Sequence, residues 1–198
     1  MVDVSGSAGR SKPQMRARVL KAALAAFEEV GPDRVRVQDI ATRAGMSSGH
    51  VMYYFGDRDR ILFSTLLMSE ENLGERRDRA AARAADADEA LAAVSRLYLP
   101  TGPRDVRWAL WAQVIARPPT DTELSRQLAE ASDTWTDCIA ELLSSRARRR
   151  QSAEPSATAA RYCRLMDGLA MEVLLGGAGR SRSWAVAEAA LALTALAG

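Results

Sequence analysis

Histidine occurs once in these 198 residues and cysteine twice. With so few, and with no CxxC spacing around Cys138 and Cys163, no metal-ligand cluster can be assembled. No nucleophile–base pair can be assembled either, so catalytic, metal and cofactor sites are all expected to be absent. Long apolar runs are missing too. The longest, residues 184–198, contains Glu188 and is too short to span a bilayer. The first nine residues lack the apolar core of a signal peptide. These absences predict a soluble, cytoplasmic chain with reduced thiols and no membrane partner. Alternating Val-Ile-Thr runs are hard to find, which leaves a β fold without support. Charge of one sign is also scarce. The net charge is only +2, so the molecule as a whole is not a generic polyanion binder.

What is present favours helices. Apolar residues make up 47% of the chain, enough to bury a core, and alanine, leucine, arginine and glutamate are good helix formers. The charge is unevenly spread, with ten basic against seven acidic side chains up to residue 60. A local basic excess on one face can serve phosphate contact.

Spacing divides the chain into about nine helices. Residues 1–12 are small and polar and read as a flexible arm carrying Arg10 and Lys12. From Pro13, Leu20, Ala23, Leu24 and Phe27 form one apolar stripe that stops at Gly31-Pro32. Val37 to Ala44 forms a short second helix, Gly45 turns the chain, and Ser47 caps a third helix over Ser48 to Phe55. Asp57 caps a long fourth helix reaching about Ala82. Asp86-x-x-Glu89 opens a fifth that ends at Pro100. Pro103 starts a sixth, stopped by Pro118-Pro119, and Thr120-x-x-Glu123 opens a seventh. After a polar loop over Arg146 to Glu154, Pro155 begins an eighth helix to about Leu175. A glycine-rich break at residues 176–179 precedes the ninth. The predicted organisation is all-α: the arm over 1–12, a three-helix helix-turn-helix domain over 13–56, and a larger helical domain over 57–198.

The two short helices joined at Ala44-Gly45-Met46-Ser47 have the layout of a helix-turn-helix. Ile40 and Ala41 pack inward, and the helix from Ser48 can lie in a major groove with its N-terminal residues at base edges. Ser48, Gly49, His50 and Tyr53 should point outward, while Val51, Tyr54 and Phe55 should face the core. The pattern Gly45-Met46-Ser47-Ser48-Gly49 also matches the G-x-S-x-G nucleophile elbow. That motif needs a preceding strand and a later histidine base, and neither exists here.

The segment Ile40-Ala41-Thr42-Arg43-Ala44-Gly45-Met46-Ser47, followed by Tyr53-Tyr54-Phe55-Gly56-Asp57-Arg58, resembles the TetR family of bacterial transcriptional regulators. The C-terminal half, with Arg107-Trp108, Trp111 and the Asp167-Gly168-Leu169 step, is similar to the BetI-like branch of that family. The resemblance implies DNA contact by Arg36, Arg43, Ser47, Ser48, Gly49, His50, Tyr53 and Arg58. Four positions depart from the family pattern. Met52 replaces a tyrosine, Arg36 a capping threonine, Ser48 a lysine, and Arg58 stands where the family has lysine. The resemblance further implies a homodimer reading a near-palindromic double-stranded operator through recognition helices about 34–36 Å apart.

For the larger domain, the family pattern implies small-molecule binding and dimerisation through the last two helices. Tyr98, Trp108, Trp111, Trp135 and Tyr162 supply aromatic faces, and Met68, Met166 and Met171 supply adaptable walls. Asp133, Asp137, Asp167 and Glu172 lie near these stripes, so a cationic or aromatic effector is the expectation. Tryptophans on helical stripes equally serve as core. A solid C-terminal core would instead indicate a ligand-independent architectural DNA-binding protein. Met166, Leu169, Ala170, Val173, Trp184, Ala187 and Leu191 are the expected dimer contacts.

Overall fold

The computed structural model describes residues 11–147 and 154–196, and among these residues there are nine helices and no strand. The chain divides into two compact units, one reaching Thr65 and one starting at Leu66. The division falls inside the fourth helix, nine residues beyond the 56/57 boundary read from the sequence. Most of the arm, with Arg10, lies outside the described residues, as does the loop segment 148–153. Lys12 does not belong to the arm. It opens the first helix, and the backbone N–H of Ser11 donates to the Gln14 side chain at 3.1 Å.

In the first unit, α1 (Lys12–Val30) buries Val19, Ala22, Ala23, Ala26 and Phe27. Leu20 and Leu24 are only half-buried, so the inward stripe centres one residue earlier than the apolar spacing suggested. α2 (Val37–Ala44) buries Ile40, Ala41 and Ala44. It ends because Gly45 takes the left-handed conformation, with φ at 63°. There the N–H of Gly45 reaches the Thr42 carbonyl at 3.0 Å, and that of Met46 reaches Ala41 at 2.9 Å. α3 (Ser48–Phe55) starts where the Ser47 hydroxyl accepts the His50 N–H at 3.2 Å. Val51 and Phe55 are buried, each worth roughly 1.5–3 kcal/mol in area removed from water. Tyr54 departs from expectation: it is half-buried, because its ring lies beside His50 rather than inside.

α4 (Arg58–Arg83) runs 26 residues without a break, and the Asp57 carboxylate accepts from the Arg60 N–H at its start, at 2.7 Å. The second unit adds α5 (Ala87–Tyr98), α6 (Val106–Ala116), α7 (Thr122–Ala147), α8 (Pro155–Leu175) and α9 (Arg182–Leu196). α7 packs on α5 and α8, and α8 on α9. Leu91, Val94, Ile139, Leu143, Met166, Ala170, Val173, Ala185 and Ala189 form their shared core. Two helix starts differ from the sequence expectation. α6 begins at Val106 because Asp105 accepts the Trp108 N–H, leaving Pro103 in the preceding turn. α7 begins at Thr122 because Asp121, not Thr120, accepts from the Leu124 N–H at 2.9 Å. Among the described residues, no helix is long and apolar enough to cross a membrane, and no group of side chains could hold a metal ion.

Candidate functional site

In the first unit, α3 presents one face to solvent. Gly49, His50 and Tyr53 are exposed, Tyr53 at 77%, and Ser48 is half-buried. The exposed side chains are held in order by their neighbours. The His50 and Tyr54 rings lie 5.1 Å apart, and Tyr53 meets Tyr54 edge-on at 5.5 Å. At the other end of α3, the Arg16 guanidinium donates to the Tyr54 carbonyl at 2.6 Å and lies 4.4 Å from the Phe55 ring centre. A cation there satisfies the helix's negative end and ties it to α1. Sequence reading missed Arg16, because its partner lies 38 residues away.

Arg36 is exposed, and its guanidinium cannot accept a cap bond. Instead its backbone N–H donates to the Asp39 carboxylate at 2.8 Å. Arg43 is exposed but ion-paired with Glu29 of α1. Arg58, expected at phosphate, bonds within the chain. Its side chain is half-buried and donates through Nε to the Val35 carbonyl and through Nη2 to the Pro32 carbonyl, closing the α1–α2 loop, while its Nη1 lies 3.8 Å from the Asp59 carboxylate.

In the second unit, four helices enclose a cavity of about 340 Å³. α5 contributes Tyr98, and α6 contributes Arg107, Trp108, Trp111 and Ile115. α7 supplies Ser132 and Trp135, and α8 supplies Asp167, Gly168 and Met171. Five expected ligand residues, Tyr98, Trp108, Trp111, Trp135 and Met171, are therefore brought together. The other three are not. Tyr162 is buried in the core with its hydroxyl 2.8 Å from that of Ser95, Met166 is fully buried beside it, and Met68 is half-buried off the cavity wall. Of the four acidic candidates, only Asp167 reaches the cavity.

Polar bonds hold these rings in place. Tyr98 packs edge-on against Trp108 and Trp135 at 5.7 and 5.2 Å, and its hydroxyl donates to Asp167. Burial pushes the Tyr98 hydroxyl pKa far up, reinforced by the Asp167 charge, so it stays a donor. Burial likewise raises the Asp167 carboxyl, against the lowering effects of the Tyr98 bond, Arg107 and Arg164. Asp167 as a residue retains solvent exposure, so its desolvation is partial. Trp108 donates its indole N–H to the Tyr98 carbonyl at 2.9 Å.

Glu70 of α4 is the element that sequence reading did not find. It is 6% exposed and accepts from the Trp111 indole at 2.7 Å and the Trp135 indole at 3.0 Å. It also pairs with Arg107 at 3.1 Å. In the sequence Ser69-Glu70-Glu71-Asn72 it looks like part of a solvated face.

The dimer residues also divide. Met166, Ala170 and Val173 are fully buried within the chain's own core, so they cannot face a partner. Leu169 and Trp184 are half-buried, while Ala187 and Leu191 are exposed, Leu191 at 66%. Leu165 and Leu175 on α8 are exposed as well. An apolar stripe on a helix flanked on two sides does not say which neighbour it meets.

A helix-turn-helix unit joined through one helix to an all-helical unit enclosing an aromatic cavity defines a one-component transcriptional regulator. Residues 19–65 match the family described as bacterial regulatory proteins, tetR family, and residues 87–196 match the BetI-type transcriptional repressor C-terminal domain. The chain belongs to the tetR family and carries a C-terminal domain of the BetI type.

Among curated relatives, it is 32% identical over 117 residues to the HTH-type transcriptional regulator BetI 2 of Chromohalobacter salexigens. That match covers 54% of this chain and 55% of the relative, so it spans about half the relative's length. Among solved structures, a transcriptional regulator from Saccharomonospora viridis in complex with choline superposes with a TM-score of 0.75 at 27% identity. The superposition covers 89% of this chain and 94% of that one. FadR of Bacillus subtilis in complex with stearoyl-CoA matches at a TM-score of 0.68 over 92% of this chain and 97% of its own. At 19% identity, that likeness concerns the fold alone.

Proposed function

We propose that the chain is a repressor that binds a near-palindromic operator as a homodimer and is released by a small quaternary-ammonium effector. The observation carrying the effector class is the cavity, where aromatic faces and one carboxylate converge. Tyr98, Trp108, Trp111 and Trp135 offer π-faces, each worth about 0.5–2 kcal/mol to a cation. The Glu70–Arg107 pair is neutral as a unit, and Asp167 supplies the carboxylate on the cavity wall that favours a monocation. A volume of about 340 Å³ suits a small molecule and is not the solid core an architectural protein would have. The choline complex of the Saccharomonospora viridis regulator supports the same class.

His50 and Tyr53 read base edges in this proposal, with Gly49 allowing close approach, and the Ser47 and Ser48 hydroxyls and Arg36 contact the backbone. Arg43 reaches phosphate by exchanging Glu29 for the DNA. Leu165, Leu169, Leu175, Ala187 and Leu191, with Trp184 at the edge, form the dimer face. Effector binding favours a state that fits the operator less well, and this requires different effector affinity in the two states. Isothermal titration with choline tests the first step, and displacement from an operator duplex enriched from a random pool tests the second. The expected outcome is saturable binding and release of the duplex. Tight choline binding that leaves operator affinity unchanged would overturn the mechanism, and no binding would overturn the effector class.

A further inference from the structure

The geometry points to Glu70 as a specificity-determining positioning residue: by accepting both indole N–H groups of Trp111 and Trp135, its carboxylate makes the cavity prefer a cation over an uncharged molecule of the same shape. This inference rests on the quaternary-ammonium reading above.

Trp135 has a problem as a cation site. Two of the protein's own guanidinium groups already lie near its ring, Arg77 at 5.2 Å and Arg107 at 5.9 Å from the centroid, and Arg107 is also 5.0 Å from the Trp108 ring. Resident cations repel an incoming ammonium and draw electron density from the π-face. Glu70 opposes both effects. Its Oε2 accepts from Trp135 Nε1 at 3.0 Å, and its Oε1 accepts from Trp111 Nε1 at 2.7 Å. A hydrogen bond from an indole N–H to an anion shifts electron density into the ring, and the low local dielectric keeps that polarisation from being screened. The same Oε1 pairs with Arg107, and Arg77 is paired with Asp78 at 2.8 Å, so each resident cation has a carboxylate partner. One side chain on α4 thus orients two rings borne by α6 and α7 and sets their electrostatic character. It does so from behind the cavity wall, since Glu70 is not among the cavity-lining residues.

The test compares choline with its uncharged carbon isostere, in which a tert-butyl group replaces the trimethylammonium, by isothermal titration on the full chain. The variants are Glu70→Gln and the double variant Glu70→Gln, Arg107→Met. The amide oxygen that Glu70→Gln introduces can still accept one indole bond, so ring placement is largely kept while the charge is lost. The double variant leaves the net charge around the cavity unchanged and removes the buried, unpaired guanidinium that could unfold the single variant. Arg107 lines the cavity, so its loss shifts both affinities and only their ratio is compared; removing that resident cation alone would raise the ratio, so a fall reports the lost polarisation of the indoles. The expected result is a choline-to-isostere affinity ratio reduced roughly three- to tenfold in the double variant. A merely structural role would weaken both ligands alike. A double-variant ratio at or above wild type overturns the inference while the effector reading stands. A wild type that does not distinguish choline from the isostere overturns both.

Discussion

Replacing Asp167 by asparagine should separate effector affinity from stability. The amide has nearly the carboxylate's shape, and its oxygen can still accept from the Tyr98 hydroxyl, so the cavity wall is preserved. What disappears is the charge. A unit pair about 4 Å apart is worth roughly 4 kcal/mol at an effective dielectric near 20, and about 1 kcal/mol in water. Asp167 keeps solvent exposure, so the interaction belongs between these limits, at about 1.4–2.8 kcal/mol, or roughly 10- to 100-fold in choline affinity. The pH dependence follows from the same group. Burial raises the Asp167 carboxyl above its ordinary 3.8. In the empty protein the folded chain then holds a proton more readily than the unfolded one, so stability from this group is present below the ordinary value. It is lost as pH rises through the raised one. Choline needs the ionised form, so its affinity in wild type should fall as pH drops through that raised value, and the Asp167→Asn variant should show no such fall. The variant's melting temperature without ligand should be at or above wild type near neutral pH, because a partly desolvated charge has been removed. Calorimetric titration and thermal melts across a pH series measure both quantities. A variant binding choline within about twofold of wild type, with an unaltered pH profile, would refute the reasoning.

His50→Ala and Tyr53→Ala should each weaken operator binding by about 1–3 kcal/mol in mobility-shift titrations while leaving the melting temperature unchanged, since both side chains are exposed. Arg58→Ala should lose about 1–3 kcal/mol in urea unfolding, because two loop carbonyls lose their donor. A variant of full stability and weakened DNA binding would instead assign Arg58 to phosphate. Leu165→Glu combined with Leu191→Glu should convert the proposed dimer to monomers in sedimentation equilibrium with wild-type helicity, both side chains being exposed on α8 and α9. A persistent dimer would place the interface elsewhere.

The reader helices were legible because their limits are set by local chemistry. Gly45 stops α2 through its own backbone freedom, and Ser47 starts α3 through a bond three residues away. Where two candidate caps compete, local reading loses discrimination. Asp105 displaced the helix start expected at Pro103, its carboxylate receiving both the Trp108 and the Thr101 N–H, an alternative that spacing does not rank. In the cavity the aromatic stripe could be read, but its polar support could not. Glu70 is buried by donors 37, 41 and 65 residues along the chain, so nothing in its neighbourhood distinguishes it from the exposed Glu71. α8 illustrates the same limit for faces. Met166 and Leu165 are adjacent and both apolar, and only the placement of α7 and α9 decides that one is core and the other surface.

The placement of the tryptophans confines the protein's own optical signal to one of its two units. All four lie beyond residue 65; three line the cavity, and the fourth, Trp184, sits apart beneath Arg180. The unit carrying the helix-turn-helix has none and holds Tyr53 and Tyr54 instead. Intrinsic emission excited at the red edge of the absorption band therefore arises wholly from the unit with the cavity, three of its four sources lining that cavity, and none of it from the helix-turn-helix unit. Occupancy of the cavity and occupancy of the operator can then be followed in one sample, the first from the unlabelled protein and the second from a dye on the duplex.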